Sequence, residues 1–224
     1  MIAGADWFKG RWIVALEDDG GSARLEIAAS LRELVERPGL RAALIDVPIG
    51  LPERGPRQCD VLARRFIGPR RSSVFPAPLR SMLGAASYKE ACARRYAVEG
   101  KKCSRQLFGI LPLVENVDDT IDPPLQDRVR EGHPEVSFTA MAGQPIDSYK
   151  GTPAGWMERM NALRTHFPDL EGIIDRLGLP AATIDALDAL SLLWSARRLI
   201  RGENEIFPAL AEVDARGLRM EIVY

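Results

Sequence analysis

Alternating apolar and polar positions in the first part of the chain predict a small mixed sheet. Two β-type runs, 2–7 and 11–17, flank a turn at 8–10, and the turn-forming stretch 18–22 precedes a third run at 23–28. Ser30 is placed to begin a short amphipathic helix that ends at a Pro-Gly pair. The unbroken apolar run 42–45 then predicts a strand buried on both faces. The predicted order is β-β-β-α-β, with the last strand added in parallel through a helical crossover.

The spacing of apolar residues becomes helical from 57 to 121, with a kink predicted at Pro112. The segment RVREGHPEVSF predicts a short strand followed by a helix that begins at Pro134, because proline suits the first helical turn. Helical patterns continue over 153–177 and 183–201. The C-terminal runs EIFPAL and LRMEIVY favour no single element.

Composition is typical of a globular protein, with 46% hydrophobic and 27% charged residues in 224. The chain has no run long enough for a membrane span and no recognisable signal peptide. Its three cysteines lack the spacing of metal ligands. We therefore expect free thiols in a reducing, cytoplasmic compartment, and no contact with a membrane.

Positive charge is concentrated in one part of the chain. Residues 53–105 contain 13 Lys or Arg and 4 Asp or Glu, although the whole chain has a net charge of −1. Such a block favours a polyanionic partner, either nucleic acid or a phosphorylated ligand. The alternative is a solvated helical surface whose charges pair with acids elsewhere.

Two acids interrupt the apolar stretch TIDALDALSLLW. Asp185 and Asp188 are three residues apart on a helix that is apolar nearly all round, as in a buried helix. A buried carboxylate must be protonated, meet a cation or coordinate a metal. Alternatively, Thr183 caps the helix and Asp185 complements the helix dipole in the first turn. That alternative leaves Asp188 without an explanation.

Two further acids lie on predicted core strands. Asp6 lies in the first strand after small residues, and Asp46 follows the buried strand 42–45. Ligands collect beyond the carboxyl ends of parallel strands, so Asp46 is well placed to meet one. Together with Asp185 and Asp188, these carboxylates suit Mg²⁺ or Mn²⁺. Two such ions can activate a water and stabilise the leaving oxygen in phosphodiester cleavage.

The chain resembles the DUF429 family of predicted nucleases. Segments that carry the resemblance extend over nearly the whole chain: GADWFKGRWIVA (4–15), IDVPIGLP (45–52), RQCDVLARRFIGPRRSSVFPAPLR (57–80), EGHPEVSF (131–138) and DALDALSLLWSAR (185–197). The resemblance implies one α/β domain over 1–224 with a ribonuclease-H-like, five-stranded mixed sheet (β-β-β-α-β-α-β-α) and a basic, mostly helical insertion at about 55–125. It also implies an acidic site that contains Asp6, Asp46, Asp185 and Asp188. The bulky Trp7-Phe8-Lys9 departs from the small turn that is usual after the family's first aspartate.

Several other residues are candidates for the same site. Within the resemblance, Glu131 is a candidate metal ligand and His133 a candidate for orienting a water or a phosphate. The alternatives are that Glu131 is a surface acid and that His133 only begins a helix. Lys150 is assigned to substrate binding, although it and Arg159 are both predicted to lie on the surface beside a glycine-containing loop.

The segment 70–80 is a candidate phosphate-binding loop. We expect phosphate contacts from its arginines and hydroxyls, which are Arg70, Arg71, Ser72 and Ser73. Phe75 is expected either to stack on a base or, the favoured alternative, to anchor the loop in the core.

The leading hypothesis is a metal-dependent nuclease that uses Mg²⁺ or Mn²⁺. A Mg-nucleotide-dependent phosphotransferase is an alternative, although the chain has no GxxxxGK[ST] loop and no paired glycine-rich phosphate loops. A non-catalytic nucleic-acid-binding protein is the other alternative. The sequence identifies no protein partner and is compatible with a homodimer.

Overall fold

The computed structural model describes all 224 residues, and its centre is a five-stranded mixed sheet in the order β3-β2-β1-β4-β5. β1 is antiparallel to β2 and parallel to β4, and β4 is parallel to β5. The strands are β1 (Ile2–Phe8), β2 (Arg11–Glu17), β3 (Ala23–Ala28), β4 (Ala42–Ile45) and β5 (Val129–Glu131). The predicted α/β class and five-stranded mixed sheet are confirmed.

Nine α-helices surround this sheet. Four of them lie between β4 and β5, in the segment where the sequence pattern predicts mostly helix. The helices are α1 (Leu31–Val35), α2 (Gln58–Phe66), α3 (Tyr88–Glu99), α4 (Arg105–Thr120), α5 (Pro123–Gln126), α6 (Pro134–Ala142), α7 (Pro153–Arg164), α8 (Leu170–Leu177) and α9 (Thr183–Arg201). No helix is both long and apolar enough to cross a membrane.

Several helix ends follow from single residues. The Ser30 side chain accepts a hydrogen bond from the Glu33 amide and caps α1, as predicted. α6 begins at Pro134, and α9 ends where Gly202 adopts a left-handed conformation. The alternative in which Thr183 caps α9 is wrong, because Thr183 is itself helical and its hydroxyl donates to the Pro180 carbonyl.

The two faces of the sheet have separate cores. On one face, Ile13 and Leu44 pack with α9 and with residues of α6, α7 and α8. On the other face, Val14 and Ile45 pack with α1 and α4. Because successive residues of a strand point to opposite faces, a residue's position in the pleat decides which core it meets.

A second, two-stranded sheet that the sequence analysis did not identify forms at the C-terminus. β6 (Ile206–Val213) pairs with β7 (Arg219–Val223), with a register shift between Phe207 and Glu212. The Phe66 ring of α2 packs against Phe207 and Tyr224, with ring centroids 5.4 and 5.1 Å away. This hairpin therefore holds α2 beside the main sheet.

Candidate active site

Strand register places Asp6 and Asp46 side by side. Ala5 of β1 pairs with Ile45 of β4, and the Asp46 amide donates to the Ala5 carbonyl at 3.1 Å. Asp6 and Asp46 thus each follow a member of the last residue pair between β1 and β4, at the carboxyl end of this parallel pairing. Strand alternation directs both side chains to the face that α9 covers. This edge is where ligands gather in sheets with parallel strands.

A close approach of α9 to β1 brings Asp188 to the same place. Gly4 permits it, because a Cβ at this position would lie 2.2 Å from the Leu193 nitrogen and 2.3 Å from the Ala189 carbonyl oxygen. Those distances are far below any real contact, so only glycine fits between strand and helix. Asp188, the residue before Ala189, is consequently fully buried at 0% exposure.

Lys150 supplies the cation of this cluster. It lies in the segment between α6 and α7, and its Nζ is 2.5 Å from Asp188 Oδ2. Asp188 Oδ1 is buried and has no hydrogen-bond partner. The prediction that Lys150 is a surface residue is thus wrong in part. A third of its side chain is exposed, but its charged end belongs to the acidic cluster.

Burial and mutual repulsion shift the titration of these acids. Burial raises the pKa of Asp6 well above its ordinary value, and repulsion from Asp46 and Asp188 adds to the shift. Burial likewise raises the pKa of Asp46, with His133 opposing, and that of Asp188, with Lys150 opposing. Burial works against the Lys150 ammonium, yet attraction to Asp188 raises its pKa. One cation therefore serves three carboxylates.

The immediate surroundings of Asp6 leave its carboxylate available. The Trp7 amide donates to Asp6 Oδ1 at 2.7 Å. The Trp7 ring lies on the opposite face of the strand, edge-on to Trp12 with ring centroids 5.3 Å apart. The bulk of Trp7 is therefore directed away from the acidic cluster.

The donor chemistry of the cluster suits a hard divalent cation. Asp6, Asp46 and Asp188 offer carboxylate oxygens, one of which is buried without a partner. In the present arrangement no group of three or more His, Cys, Asp or Glu side chains is positioned to hold a metal ion. The cation that neutralises the cluster here is the Lys150 ammonium.

Asp185 lies at the edge of this cluster. It is in the first turn of α9, as predicted, and is only partly buried. Burial raises its pKa, while its own backbone hydrogen bond and the charges of Lys150 and Lys9 oppose that shift. Its repulsion contributes less to the pKa of Asp6 than that of Asp46 or Asp188. The first-turn explanation is thus sufficient for Asp185 and insufficient for Asp188.

Glu131 is not part of the cluster, so its prediction as a metal ligand is wrong in this structure. It pairs with Ile45, the residue before Asp46. Because successive residues of a strand point to opposite faces, Glu131 and Asp46 lie on opposite faces of the sheet. There Arg57 donates to both of its carboxylate oxygens at 2.7 Å, and the Ile49 amide donates to Oε2. Burial raises the pKa of Glu131 to about 7 despite Arg57, whose charge it shares with Asp60. The surface alternative is also wrong.

His133 both begins α6 and faces the site. Its Nδ1 accepts a hydrogen bond from the Glu135 amide at 3.2 Å, so the neutral ring carries its proton on Nε2. Nε2 has no partner within the protein, and the ring lines the cleft beside Asp46. His133 is therefore placed to donate a hydrogen bond to a ligand there.

A buried ion pair supports the Lys150 segment from below. Arg159 donates to both oxygens of Glu135 at 2.6 and 2.7 Å, and also to the Gly155 and Ser148 carbonyls. Both side chains are buried, so the prediction that Arg159 lies on the surface is wrong. The pair joins α6 to α7 and fixes the backbone two residues before Lys150.

A cleft of about 490 Å³ opens beside the cluster. Its lining includes Asp46, His133 and Lys150 together with Arg70, Ser72 and Ser73. Three of the four residues assigned to phosphate binding are thus brought to the site. Arg71 is not among them, because it lies in a shallow surface depression with Arg64 and Arg65.

Phe75 is 48% exposed at the cleft, so its expected role as a core anchor is wrong. Val74, the residue before it, occupies the buried position instead.

Part of the basic block is neutralised within the protein. Of its 13 basic residues, Arg57, Arg80, Arg94 and Arg95 form ion pairs with carboxylates. The alternative of internal pairing therefore accounts for fewer than a third of the basic residues. The others, including Arg70 at the cleft, have no carboxylate partner.

Sequence reasoning missed four residues that shape the cleft. Arg57 and Asp60 form the buried network with Glu131, and Glu135 with Arg159 forms the other. The only available signal was the spacing of Arg57 and Asp60, which are three residues apart at a helix start. The Glu135–Arg159 pair joins separate helices, and nothing in the local pattern marks it.

Comparison with known proteins identifies a family. The model of a family described as "Protein of unknown function (DUF429)" matches residues 4–213, nearly the whole chain. No curated protein and no solved structure matches the chain significantly.

Proposed function

The chain belongs to the DUF429 family, and we propose that it is a metal-dependent nuclease that hydrolyses phosphodiester bonds on a ribonuclease-H-like fold. The observation that carries this proposal is the meeting of three aspartates from separate elements in one cluster, in which Asp6 and Asp188 are buried and Asp46 borders the cleft. Asp6 belongs to β1, Asp46 follows β4 and Asp188 belongs to α9. The strand order β3-β2-β1-β4-β5 supports the fold assignment.

Charge balance argues for a cation as the ligand of this cluster. Buried carboxylates cost free energy unless they are paired, and Lys150, whose charge acts on all three, forms an ion pair only with Asp188. Such an arrangement lowers stability and persists where function requires it. Asp6, Asp46 and Asp188 are the residues that would hold Mg²⁺ or Mn²⁺. When bound, the ion supplies Lewis acidity that lowers the pKa of a water and stabilises the leaving oxygen.

Residues around the cleft are suited to bind and orient a phosphodiester. The Lys150 ammonium can exchange part of its contact with Asp188 for a non-bridging phosphate oxygen. Arg70 and the hydroxyls of Ser72 and Ser73 offer further donors in the same cleft. The Nε2–H of His133 can donate to the same phosphate or to the water that attacks it. The remaining unpaired basic residues around α2 and α3 favour a long polyanion over a single small phosphoester.

The proposal is tested by incubating the protein with single-stranded, duplex, hybrid and branched nucleic acids in Mg²⁺, Mn²⁺ or EDTA. We expect cleavage with a divalent ion and none with EDTA. Asp46→Asn and Asp188→Asn should each lower turnover by at least about 100-fold while leaving the circular dichroism spectrum unchanged.

Asp119→Asn provides a matched control. Asp119 is exposed on α4 and lies outside the cleft, so the same chemical change there should leave activity unaltered. Absence of metal-dependent cleavage with every substrate would contradict the proposal. Equal activity of wild type and Asp188→Asn would do the same, since it would identify a contaminating nuclease.

A further inference from the structure

Two exposed aromatic rings line the cleft that holds the acidic cluster. Phe75 is 48% exposed and Tyr149 is 58% exposed. Only one other aromatic side chain, Tyr96 on α3, is exposed to this degree, and it lies elsewhere. Exposed aromatic surface beside a polar site is typical of ligand binding.

The exposure of Phe75 is imposed by anchors on both sides of it. Arg64 donates to the Val74 carbonyl at 2.7 Å, and the Ala77 amide donates to Asp60 Oδ2 at 3.1 Å. Asp60 is itself held by Arg57 in the buried network. The backbone is therefore fixed immediately before and shortly after Phe75, and the ring is held toward solvent.

Tyr149 is associated with positive charge. The Arg70 guanidinium carbon lies 5.0 Å from the centre of the Tyr149 ring, within the range of a cation–π contact. Arg70 has no carboxylate partner, and its buried Nε makes no hydrogen bond. This pair thus presents an aromatic face and an uncompensated cation at one point of the cleft wall. Gln106 adds a polar side chain to the same cleft.

We propose that this cleft binds an unpaired nucleotide, so that the substrate of the protein is single-stranded nucleic acid. The inference rests on the proposed nuclease function and names the substrate class for the same site. Base faces of the bound strand pack on both Phe75 and Tyr149, and the adjoining phosphates lie against Arg70, Ser72 and Ser73.

The physical reason for this substrate class is the accessibility of the base. Aromatic side chains bind nucleobases through the flat face of the ring, and every base has such a face. In a duplex both faces are covered by neighbouring bases, and exposing one requires unstacking. A cleft volume of about 490 Å³ falls within the usual range for pockets that enclose one small organic molecule.

The test measures binding in EDTA, which separates recognition from cleavage. Fluorescence anisotropy is recorded with a short labelled single strand, its duplex, and the same single strand with abasic positions, each as DNA and as RNA. We expect the single strand to bind at least about tenfold more tightly than the duplex. Phe75→Ala and Tyr149→Ala should each weaken single-strand binding by about tenfold. Wild-type protein should bind the abasic strand more weakly by a similar factor. A variant that carries both Phe75→Ala and Tyr149→Ala should bind the abasic strand and the intact strand with nearly equal affinity.

Tyr96→Ala serves as the matched control, because it removes an exposed tyrosine outside the cleft. Duplex binding equal to or tighter than single-strand binding would overturn the inference. Losses for Phe75→Ala and Tyr149→Ala no larger than that for Tyr96→Ala would also overturn it.

The outcomes also distinguish this inference from the proposed nuclease activity. Single-strand binding that depends on Phe75 and Tyr149, without cleavage in any metal, would support the recognition site and refute the nuclease. Metal-dependent cleavage of duplex alone would support the nuclease and refute the single-strand site.

Discussion

Lys150 Nζ lies 2.5 Å from Asp188 Oδ2, while the second oxygen of the same carboxylate is buried without a partner. The ammonium comes from an irregular segment, whereas Asp188 is fixed in α9, the helix packed most closely on β1. The cluster therefore has rigid acids and a cation on a long side chain. This asymmetry allows a ligand to displace the cation without moving the acids.

Replacing Lys150 with Met should destabilise the protein in EDTA. The variant keeps a long aliphatic stem but leaves Asp188 without a cation, so we expect a loss of about 2 kcal/mol at about pH 8. The loss should shrink as the pH falls, because protonated Asp188 needs no partner. Urea unfolding of wild type and variant at about pH 8 and at a lower pH measures this loss of stability. Lys89→Met, at an exposed position of α3, is the control, and an equal effect of both substitutions would contradict the interpretation.

Asp6→Asn should stabilise the metal-free protein at high pH. The raised pKa of Asp6 means that the folded state binds this proton more tightly than the unfolded state. Stability therefore falls as pH rises from about 4 through the raised pKa. Asn does not titrate and keeps an oxygen for the Trp7 amide, so we expect a gain of about 1–2 kcal/mol at about pH 8.

The gain from Asp6→Asn should disappear near pH 4, where the wild-type carboxyl is also neutral. Chemical denaturation across this pH range provides the measurement. Destabilisation of the variant at high pH would contradict the prediction that the ionised Asp6 carboxylate lowers the stability of the metal-free protein.

Millimolar Mn²⁺ should stabilise the protein, and more so at high pH. An ion present at about 100 times its Kd adds about 2.7 kcal/mol, which raises the Tm of a chain of this size by about 5–10 °C. At about pH 5 the shift should be much smaller, because protons compete for carboxylates whose pKa values are raised. Differential scanning fluorimetry measures the shift in Tm at each pH. Asp46→Asn should lose the shift and Asp119→Asn should retain it, and the reverse pattern would place the ion elsewhere.

Gly4→Ala should destabilise the protein severely. Its methyl group would meet the backbone of α9 at 2.2–2.3 Å, so helix and strand must separate. We expect a cost of about 3 kcal/mol or more, together with displacement of Asp188 away from Asp6. Gly109→Ala is the matched control, because Gly109 is exposed in the middle of α4 with open space around it. There we expect a gain of about 0.5–1 kcal/mol, and comparable effects at both positions would contradict this account.

Local pattern was sufficient to predict most of the main sheet. The apolar run Ala42–Ile45 and the Ser30 cap carry their own signals, and both are confirmed. Buried aspartates are likewise visible in sequence, because an acid inside an apolar run is conspicuous. That signal identified Asp188 and placed Asp46 at a strand end.

The register between neighbouring strands could not be predicted from local sequence patterns. Glu131 and Asp46 both lie near the carboxyl ends of parallel strands, but the pairing of Glu131 with Ile45 directs it to the opposite face. A shift of one residue, which no sequence pattern fixes here, would have reversed that result. The expected burial of Phe75 was wrong for a similar reason, because which of two adjacent apolar residues is buried depends on anchors from α2.

The seating of α9 against Gly4 also has a consequence for biosynthesis. Asp6 lies in β1 and is therefore made well before α9. A polypeptide released before α9 contains Asp6, Asp46 and Lys150 but lacks the helix that completes the cluster. Premature termination therefore yields products without a finished acidic centre, since Asp188 and the helix that seats against Gly4 are both missing.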